Sequence, residues 1–362
     1  MQSDHALQRG SGQHDLSESR NQEFLTTSRS PDAELPIESI RCRSCRAMGT
    51  EFKLYLSSAD EIQAQACYLA AFEEIERIEQ AFSRFRDSSE VSRINRLAFN
   101  GPMVTDPEVF QLISRAMDIS RKTGGFFDVT VGSLTRVWGF AEHQRRIPEP
   151  QALAEARESV GWQKVVLDPA WRTVQFLQAG IELDLGAIAK GYAVDSVMEV
   201  LRRIGVPALM DAGSSSMMAN DAELFRDWKV AIPNPLNRAL PLWDVKLGNR
   251  ALSTSGVMEQ SFVQDGCIYS HLIHPVGQSA PPSASGQQLL QVTVLAPDST
   301  LADALSTAMF LLGHEQGSQS LQQFPECSAL WVYSDANGLI PRAHQWPEDE
   351  NLCNKGVFHG KA

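Results

Sequence analysis

The sequence predicts an α+β fold in which mixed or antiparallel sheets are flanked by helices. Apolar residues alternate with polar ones in several short segments, as expected of half-buried strands, and amphipathic helical patterns lie between them. The two kinds of segment do not alternate regularly, which argues against a doubly wound parallel sheet. The composition, with 43% apolar and 21% charged residues among 362, is that of a globular protein.

The N-terminal elements follow a polar segment. Residues 1–40 hold few large apolar side chains and are expected to form a flexible tail, so the fold is predicted to start near Met48. Residues 52–56 alternate as in a half-buried strand. Amphipathic helices are then predicted over 62–82 and 107–121, the second ending shortly before a pair of glycines.

The C-terminal half combines short strands with two more helices. A strand over residues 181–185 is predicted to pass at Gly186 directly into a helix that ends at Gly205. Further strands are predicted at 209–210, 228–232, 290–295 and 329–333, and a helix at 301–312. We expect a single catalytic unit over residues 41–342 and a C-terminal tail over 343–362.

Charge and hydropathy argue against several classes of partner. The formal net charge of −12 disfavours binding driven by the phosphates of nucleic acid or by anionic lipid. No run approaches the roughly 20 apolar residues of a membrane-spanning helix. The first residues lack the apolar core of a signal peptide and a lipid-acceptor cysteine. As written, the sequence predicts a cytoplasmic protein, or an extracytoplasmic one if the true start differs.

Cysteine is sparse. Six cysteines in 362 residues are too few for a disulfide scaffold and suit a reducing compartment. Only Cys42 and Cys45 have the spacing of a metal or redox pair, and no second pair stands ready to complete a zinc site. We therefore expect little chemistry from these thiols.

A strand-to-helix junction at residues 184–195 is the first candidate site. Gly186 permits a tight turn, free N–H groups at the start of a helix favour an anion, and Lys190 adds a positive charge one turn later. This pattern favours phosphate binding. The alternative is structural: Asp184 ends a strand, Lys190 is a solvated helix residue, and the glycines serve packing.

The segment 299–308 is the second candidate site. Asp303 and Thr307 are four residues apart, so on a helix their carboxylate and hydroxyl project from one face and could share Mg²⁺. The alternative is a capping box, in which Thr300 begins the helix and Asp303 reaches back to a backbone N–H. The local pattern leaves both interpretations open.

Two histidines supply a candidate general base. An unperturbed imidazole titrates near neutral pH, so either His271 or His274 has suitable chemistry, whereas a zinc pair lacks further ligands nearby. Turns rich in small residues at 211–216 and 253–256 would let the backbone approach a ligand closely, although ordinary turns look the same. Together these features indicate a phosphate site compatible with Mg²⁺, with a histidine nearby.

In this order, the motifs resemble the FAD:protein FMN transferase family, the ApbE proteins, from Met48 to about Gly313. The matching segments are MGT at 48–50, FSRFRDSSEVSRIN at 82–95, TGGFFD at 123–128, DLGAIAKG at 184–191, WKVAI at 228–232, STSG at 253–256, the His271 segment and ADALST at 302–307. The resemblance favours a metal site over a cap at Asp303 and makes His271 the preferred histidine.

The resemblance implies transfer of FMN from FAD to a Thr or Ser hydroxyl of an acceptor protein, with release of AMP. Asp303, Thr307 and the backbone carbonyl of Ala187 would hold Mg²⁺, and His271 would remove the hydroxyl proton. The implied contacts to FAD, which is the substrate, are Met48, Phe85, Phe126, Phe127, Asp128, Asp184, Lys190 and Ile273. The acceptor in this family is often a membrane electron-transfer subunit.

Three departures from the family pattern bear on this interpretation. His274 stands where the family usually has Asp, the following turn lacks a Thr near Gly277, and Ser214 replaces the second glycine of a pair. Two alternatives share the site. In an FAD pyrophosphatase, water would replace the acceptor hydroxyl and give FMN and AMP; in a flavin-binding carrier, catalysis would have been lost.

Overall fold

A computed structural model describes residues 40–140, 144–220, 228–257, 261–264, 267–275 and 287–347. In chain order the elements are β1 (Ile40–Ala47), β2 (Thr50–Ser57), α1 (Glu61–Phe82), α2 (Glu90–Leu97), β3 (Met103–Val104), α3 (Pro107–Lys122), α4 (Gly132–Val137), α5 (Pro150–Glu158), β4 (Val165–Asp168), β5 (Thr173–Phe176), α6 (Ala189–Ile204), β6 (Ala208–Ala212), β7 (Ser216–Asn220), β8 (Lys229–Asn234), β9 (Asn237–Lys246), β10 (Ala251–Gly256), β11 (Ser261–Gln264), β12 (Cys267–Ser270), β13 (Gln288–Ala296), α7 (Ser299–Ser320), β14 (Ser328–Asp335) and β15 (Gly338–His344).

An eight-stranded antiparallel sheet organises the main core, in the order β1-β2-β6-β7-β10-β13-β14-β15. Every residue of β6, β7 and β10 is buried, so both faces of the centre of the sheet are covered. Helices α1, α6 and α7 lie side by side against it, α7 over β10 and β13 and α6 over β6 and β7. The predicted α+β class is confirmed.

Smaller elements surround this core. β3, β5 and β4 form a three-stranded sheet, and β8–β9 and β11–β12 are hairpins. A second apolar cluster forms between α4, α5 and the β11–β12 hairpin; its members are Leu134, Trp138, Phe140, Ala156, Val160 and Ile273, with Phe262 and Tyr269 packed against them. This cluster positions the chain that follows β12.

The helices with a clear apolar stripe agree with prediction. α1 begins one residue before its predicted start, and α3 begins at its predicted start. Asp60 and Asp106 accept the first N–H groups of these helices, and Pro107 occupies the first turn of α3. α7 is longer than predicted, but its backbone leaves the helical region at Gly313, next to the predicted end. No helix in the described residues is both long and apolar enough to cross a membrane.

Three predictions about the elements are wrong. Residues 253–256 do not form a turn, because they are the second half of β10 and pair with β13. The fold does not start near Met48, because β1 precedes it and pairs along its whole length with β2. Residues 181–185 do not form a strand. The Glu182 carbonyl accepts the Gly132 N–H, the Asp184 N–H donates to the Val129 carbonyl, and Leu183 bonds the Asn95 side chain. In consequence α6 begins at Ala189 and not at Gly186.

The predicted unit boundaries at 41 and 342 stay predictions. β15 continues to His344, two residues past the predicted end. The predicted N-terminal tail lies almost wholly outside the described residues, as do the C-terminal residues after Pro347.

Two tight turns meet at one end of the main sheet. Met48 and Gly49 join β1 to β2, both with positive φ, and Gly213 and Ser214 begin the turn between β6 and β7, also with positive φ. The Gly213 N–H donates to the Glu51 carbonyl at 2.9 Å. A Cβ atom at position 213 would lie 2.0 Å from the Thr50 hydroxyl, so the second turn can approach the first only with glycine there.

Replacements at the neighbouring positions 213 and 214 should therefore have opposite effects. We expect Gly213→Ala to lower the free energy of unfolding by about 1–3 kcal/mol, because the new methyl group overlaps Thr50. We expect Ser214→Gly to raise it by up to about 1 kcal/mol, because Ser214 has a left-handed φ of 59°. Urea unfolding of both variants tests this, and destabilisation of equal size by both would contradict it.

Candidate active site

Asp303 and Thr307 lie one turn apart on α7, whose inner face packs against the main sheet. Asp303 is buried and Thr307 half-buried. The capping-box alternative is wrong: α7 is capped by Asp298, which accepts the Leu301 N–H at 2.8 Å. The carboxylate of Asp303 is turned instead toward the start of α6.

The Asp303 carboxylate is the meeting point of α6, α7 and two central strands. Its Oδ2 accepts the Gly191 N–H at 3.0 Å, and its Oδ1 accepts the hydroxyls of Ser216 at 3.1 Å and Ser253 at 3.4 Å. The Lys190 ammonium lies 3.7 Å from the same Oδ1. A buried carboxylate thus faces a lysine whose side chain is partly open to solvent, an arrangement suited to polyanionic substrates and cations.

Gly191 allows this meeting. A Cβ atom at position 191 would lie 2.2 Å from the Ser299 carbonyl oxygen and 2.9 Å from the Asp303 Cβ. Any larger residue would separate α6 from α7. The packing alternative for this glycine is therefore correct, and the role of Lys190 stays a prediction.

Asp195, on the next turns of α6, binds the start of α7. Its carboxylate accepts the N–H groups of Ser299 at 2.7 Å and Thr300 at 2.8 Å, and also the Thr300 hydroxyl. Burial raises the pKa of Asp195, and the neighbouring charge of Asp298 adds to this. Arg115 forms an ion pair with Asp298 at 2.6 Å. α6 thereby bonds α7 at two points, the start of the helix through Asp195 and Asp303 through Gly191.

Asp184 closes the turn that leads into α6. Its Oδ1 accepts the Gly186 N–H at 2.9 Å and its Oδ2 accepts the Thr135 hydroxyl at 3.1 Å. The buried guanidinium of Arg84 lies 3.5 Å from Asp184 and 3.0 Å from Glu182. Ala187 follows in the same turn, three residues before Lys190.

The loop at 126–132 contains one half-buried residue predicted to contact FAD and two buried ones. Phe126 is half-buried, whereas Phe127 is 2% exposed and belongs to the main core, so its ring cannot stack on a heterocycle in this arrangement. Asp128 is buried, which raises its pKa, and it accepts hydrogen bonds from the N–H and hydroxyl of Thr130 and from the Trp162 N–H. Asp128 therefore holds the loop together.

His271 follows β12 directly and is half-buried. Two residues later Ile273 is buried in the second apolar cluster, which fixes the segment. The ring of His274 meets Phe126 edge-on with centroids 4.9 Å apart, and burial lowers its pKa. The histidine that departs from the family pattern thus contacts one of the predicted flavin residues. The departure near Gly277 lies outside the described residues.

Met48 and Phe85 present side chains at the surface. Met48 lines an open cleft of about 420 Å³ together with Arg46, Glu79 and Arg86. Phe85 is 68% exposed, and the Arg84 guanidinium lies 5.0 Å from its ring centre. Phe85 is thus open to solvent and Met48 is partly buried at the cleft, and their predicted contacts to flavin or adenine stay predictions.

The thiols of Cys42 and Cys45 both lie on β1. Being three residues apart on an extended strand, they point to opposite faces and cannot form a disulfide or a chelate. Burial raises the pKa of Cys42 to about 11 and that of Cys45 to about 12, so both remain unreactive thiols. Among the described residues no three His, Cys, Asp or Glu side chains gather around a metal position.

The structure therefore brings Lys190, Asp303 and Thr307 together and places Asp184 and Ala187 in the turn beside Lys190. His271 and Phe126 lie on two further loops, the one after β12 and the one at 126–132, which are joined by the ring contact between His274 and Phe126. Sequence reasoning missed the partners of Asp303 and the role of Asp195. No local signal pointed to them, because Ser216, Ser253 and Gly191 lie 50 to 112 residues from Asp303 along the chain.

A family-wide comparison decides the assignment of the chain. The sequence model of the ApbE family matches residues 48–331. The chain belongs to the ApbE family. The predicted membership is confirmed, and the matched region contains every predicted site residue.

Curated relatives of the ApbE chain described here are enzymes. The FAD:protein FMN transferase of Treponema pallidum is 33% identical over 286 residues, which cover 74% of this chain and 78% of that protein. The FAD:protein FMN transferase of Klebsiella pneumoniae is 32% identical and covers 81% of this chain and 89% of that protein.

Solved ApbE structures share the fold. The ApbE protein of Thermotoga maritima has a TM-score of 0.76 at 28% identity, covering 84% of this chain and 97% of that one. The flavinyl transferase ApbE of Pseudomonas stutzeri has a TM-score of 0.73 at 26% identity, covering 84% and 95%. The roles of individual residues stay predictions.

Asp211 is a buried carboxylate beside the two turns. It accepts the Ser214 N–H at 2.6 Å and lies opposite Lys53 across β2 and β6. Burial raises its pKa to about 6, against the opposing effect of the Ser214 hydrogen bond. The folded protein therefore binds a proton more tightly than the unfolded chain does between about pH 4 and pH 6.

Asp211→Asn should remove this dependence of stability on pH. In the wild type the contribution of Asp211 is fully present below pH 4 and is lost as the pH rises through 6, a change of up to about 3 kcal/mol. Urea unfolding of both proteins from pH 4 to pH 7 should show the variant gaining relative to the wild type as the pH rises. A constant difference between the two curves would contradict the raised pKa.

Proposed function

We propose that this ApbE protein transfers FMN from FAD to a Thr or Ser hydroxyl of an acceptor protein, releases AMP and requires Mg²⁺. The predicted enzyme class, a flavin transferase, agrees with the names of its curated relatives. The observation that carries the proposal is the buried Asp303 carboxylate, which faces Lys190 with Thr307 one turn away. A phosphate bound there would contact the Lys190 ammonium, and a cation bound beside it would contact the oxygens of Asp303 and Thr307.

The residues present fit Mg²⁺. Asp303 offers a carboxylate, Thr307 a hydroxyl and Ala187 a backbone carbonyl, and Mg²⁺ prefers oxygen ligands of these kinds. Because this predicted set contains a single carboxylate, it suits a metal that also binds substrate phosphates. When bound, the metal would neutralise negative charge on the pyrophosphate oxygens.

The chain's own residues would then orient the transfer. Lys190 would bind the pyrophosphate, and Phe85, Phe126 and Met48 would contact the flat rings of FAD. The acceptor oxygen forms a bond to the FMN-side phosphorus, the bond from that phosphorus to the bridging oxygen breaks, and AMP leaves. His271 would take the hydroxyl proton.

Three of the residues predicted to contact FAD are buried, so their side chains fit a structural role better than a direct contact. Phe127, Asp128 and Ile273 are engaged within the protein, so we infer that they contribute through the backbone of their loops. The identity of the acceptor protein, including a membrane electron-transfer subunit, and the cytoplasmic location remain predictions from the sequence.

Asp303→Asn tests the metal assignment. In the wild type we expect Mg²⁺ to tighten FAD binding about 5- to 150-fold, because the pyrophosphate would itself bind the metal and such coupling is reciprocal. The variant should lose this effect and most of the transfer activity, while its FAD affinity in EDTA stays near that of the wild type. FAD titrations with and without Mg²⁺ measure both.

Asp168→Asn is a suitable control, because Asp168 lies on β4 and accepts the nearby N–H groups of Ala170 and Trp171. It should retain the effect of Mg²⁺. Undiminished Mg²⁺ dependence in Asp303→Asn would remove Asp303 from the metal site.

His271→Ala tests the general base. The rate of flavin transfer should fall by about 10²- to 10⁴-fold, because the acceptor hydroxyl loses its proton acceptor, whereas FAD affinity should change little. The assay is covalent flavin fluorescence on an acceptor domain in a denaturing gel, with AMP measured in parallel.

His344→Gln, on the edge strand β15, provides the matched histidine control. An unchanged transfer rate in His271→Ala would exclude the proposed base. In the wild type, AMP and free FMN without labelled acceptor would favour the pyrophosphatase, and intact bound FAD without AMP would favour the carrier.

A further inference from the structure

A chain of buried hydroxyls reaches the Asp303 carboxylate from the centre of the main sheet. Ser216 on β7 and Ser253 on β10 are paired directly across the two strands, and both are 0% exposed. Their hydroxyl oxygens are 3.2 Å apart. Both lie within hydrogen-bond distance of Asp303 Oδ1, Ser216 at 3.1 Å and Ser253 at 3.4 Å.

Only part of the hydrogen-bond direction follows from chemistry. An ionised carboxylate only accepts, so any hydrogen bond between Asp303 and Ser216 or Ser253 has the serine as donor. Between the two serine hydroxyls either oxygen can be the donor. With the Gly191 N–H on Oδ2, both carboxylate oxygens are held by donors from different elements.

A second branch of the network reaches Thr307. Ser306 donates to the Asp303 backbone carbonyl at 2.9 Å and lies 2.8 Å from the Ser255 hydroxyl. With the Ser306 proton on that carbonyl, Ser255 donates to Ser306, and the Thr307 hydroxyl lies 3.4 Å from Ser255. The second branch therefore ends at Thr307, the other side-chain ligand of the proposed metal site.

We propose that Ser216 and Ser253 are positioning residues that hold the Asp303 carboxylate in the orientation in which it binds Mg²⁺. The inference rests on the proposed metal site. Groups that hydrogen-bond a metal ligand fix its orientation, and their loss typically weakens metal binding about 10- to 100-fold. Ser216 and Ser253 fill that place, because they contact Asp303 through side chains and have no exposed surface through which to reach a substrate.

The same strand offers a matched control. Thr254 is next to Ser253 on β10, is also buried, and its hydroxyl bonds that of Thr293 at 2.9 Å on the opposite face of the sheet. Thr254→Val removes a buried hydroxyl from β10 without touching Asp303. A general weakening of the sheet would affect this variant as much as Ser253→Ala.

The experiment is a calorimetric titration of Mg²⁺ into the FAD-loaded full chain without acceptor, for the wild type, Ser216→Ala, Ser253→Ala and Thr254→Val. Thermal unfolding of each protein with and without Mg²⁺ separates metal affinity from basal stability, because each variant is compared with its own metal-free melt. If Ser216→Ala does not fold, Ser253→Ala, with the longer bond to Asp303, decides.

We expect Ser216→Ala and Ser253→Ala to bind Mg²⁺ about 10- to 100-fold more weakly, with Thr254→Val close to the wild type. FAD affinity in EDTA should not change, and transfer should recover at saturating Mg²⁺. Wild-type Mg²⁺ affinity in both alanine variants, or equal weakening in Thr254→Val, would overturn the positioning role alone. Absence of Mg²⁺ binding by the wild type would overturn the proposed metal site and this inference with it.

Discussion

The burial of the Asp303 carboxylate is the constraint on which the arrangement of the site depends. An ionised carboxylate removed from water is strongly unfavourable unless donors surround it. Here the donors come from α6, β7 and β10, so those elements must keep their distances if α7 is to stay in place. The close approach at Gly191 is part of the same constraint, because a wider spacing of the two helices would break the bond from its N–H to Asp303.

Asp195 extends this constraint to the start of α7. It accepts two backbone N–H groups there, and Arg115 neutralises Asp298 beside it. The carboxylates of Asp195 and Asp298 can both lie near this helix start, because backbone N–H groups donate to them and the Arg115 guanidinium pairs with Asp298. Two sets of hydrogen bonds therefore fix the position of Asp303. Asp195 holds the start of α7, and the central strands hold the Asp303 side chain itself.

The sequence predicted best what depends on local periodicity, as in α1 and α3, whose apolar stripes and capping aspartates are contained in the segment itself. It failed at residues 181–185, because alternate burial resembles a strand even when the backbone bonds go to a loop and to Asn95. The capping-box alternative, with Thr300 at the helix start, is wrong for a related reason. The local pattern cannot reveal that the distant Asp195 accepts the N–H and hydroxyl of Thr300. The partners of Asp303 lie 50 to 112 residues away along the chain, beyond the reach of spacing rules.

The substitution of His for the family's usual Asp at position 274 has a physical consequence for the site. An imidazole offers an aromatic edge that a carboxylate does not, and here it packs against Phe126. The loop after β12 and the loop at 126–132 are thus joined by a ring contact, and burial favours the neutral imidazole. A neutral ring adds no negative charge beside a bound pyrophosphate, so the departure remains compatible with an anionic substrate. Lys190 places a positive charge 3.7 Å from the buried Asp303 carboxylate, so the proposed pyrophosphate site does not depend on a charge at position 274.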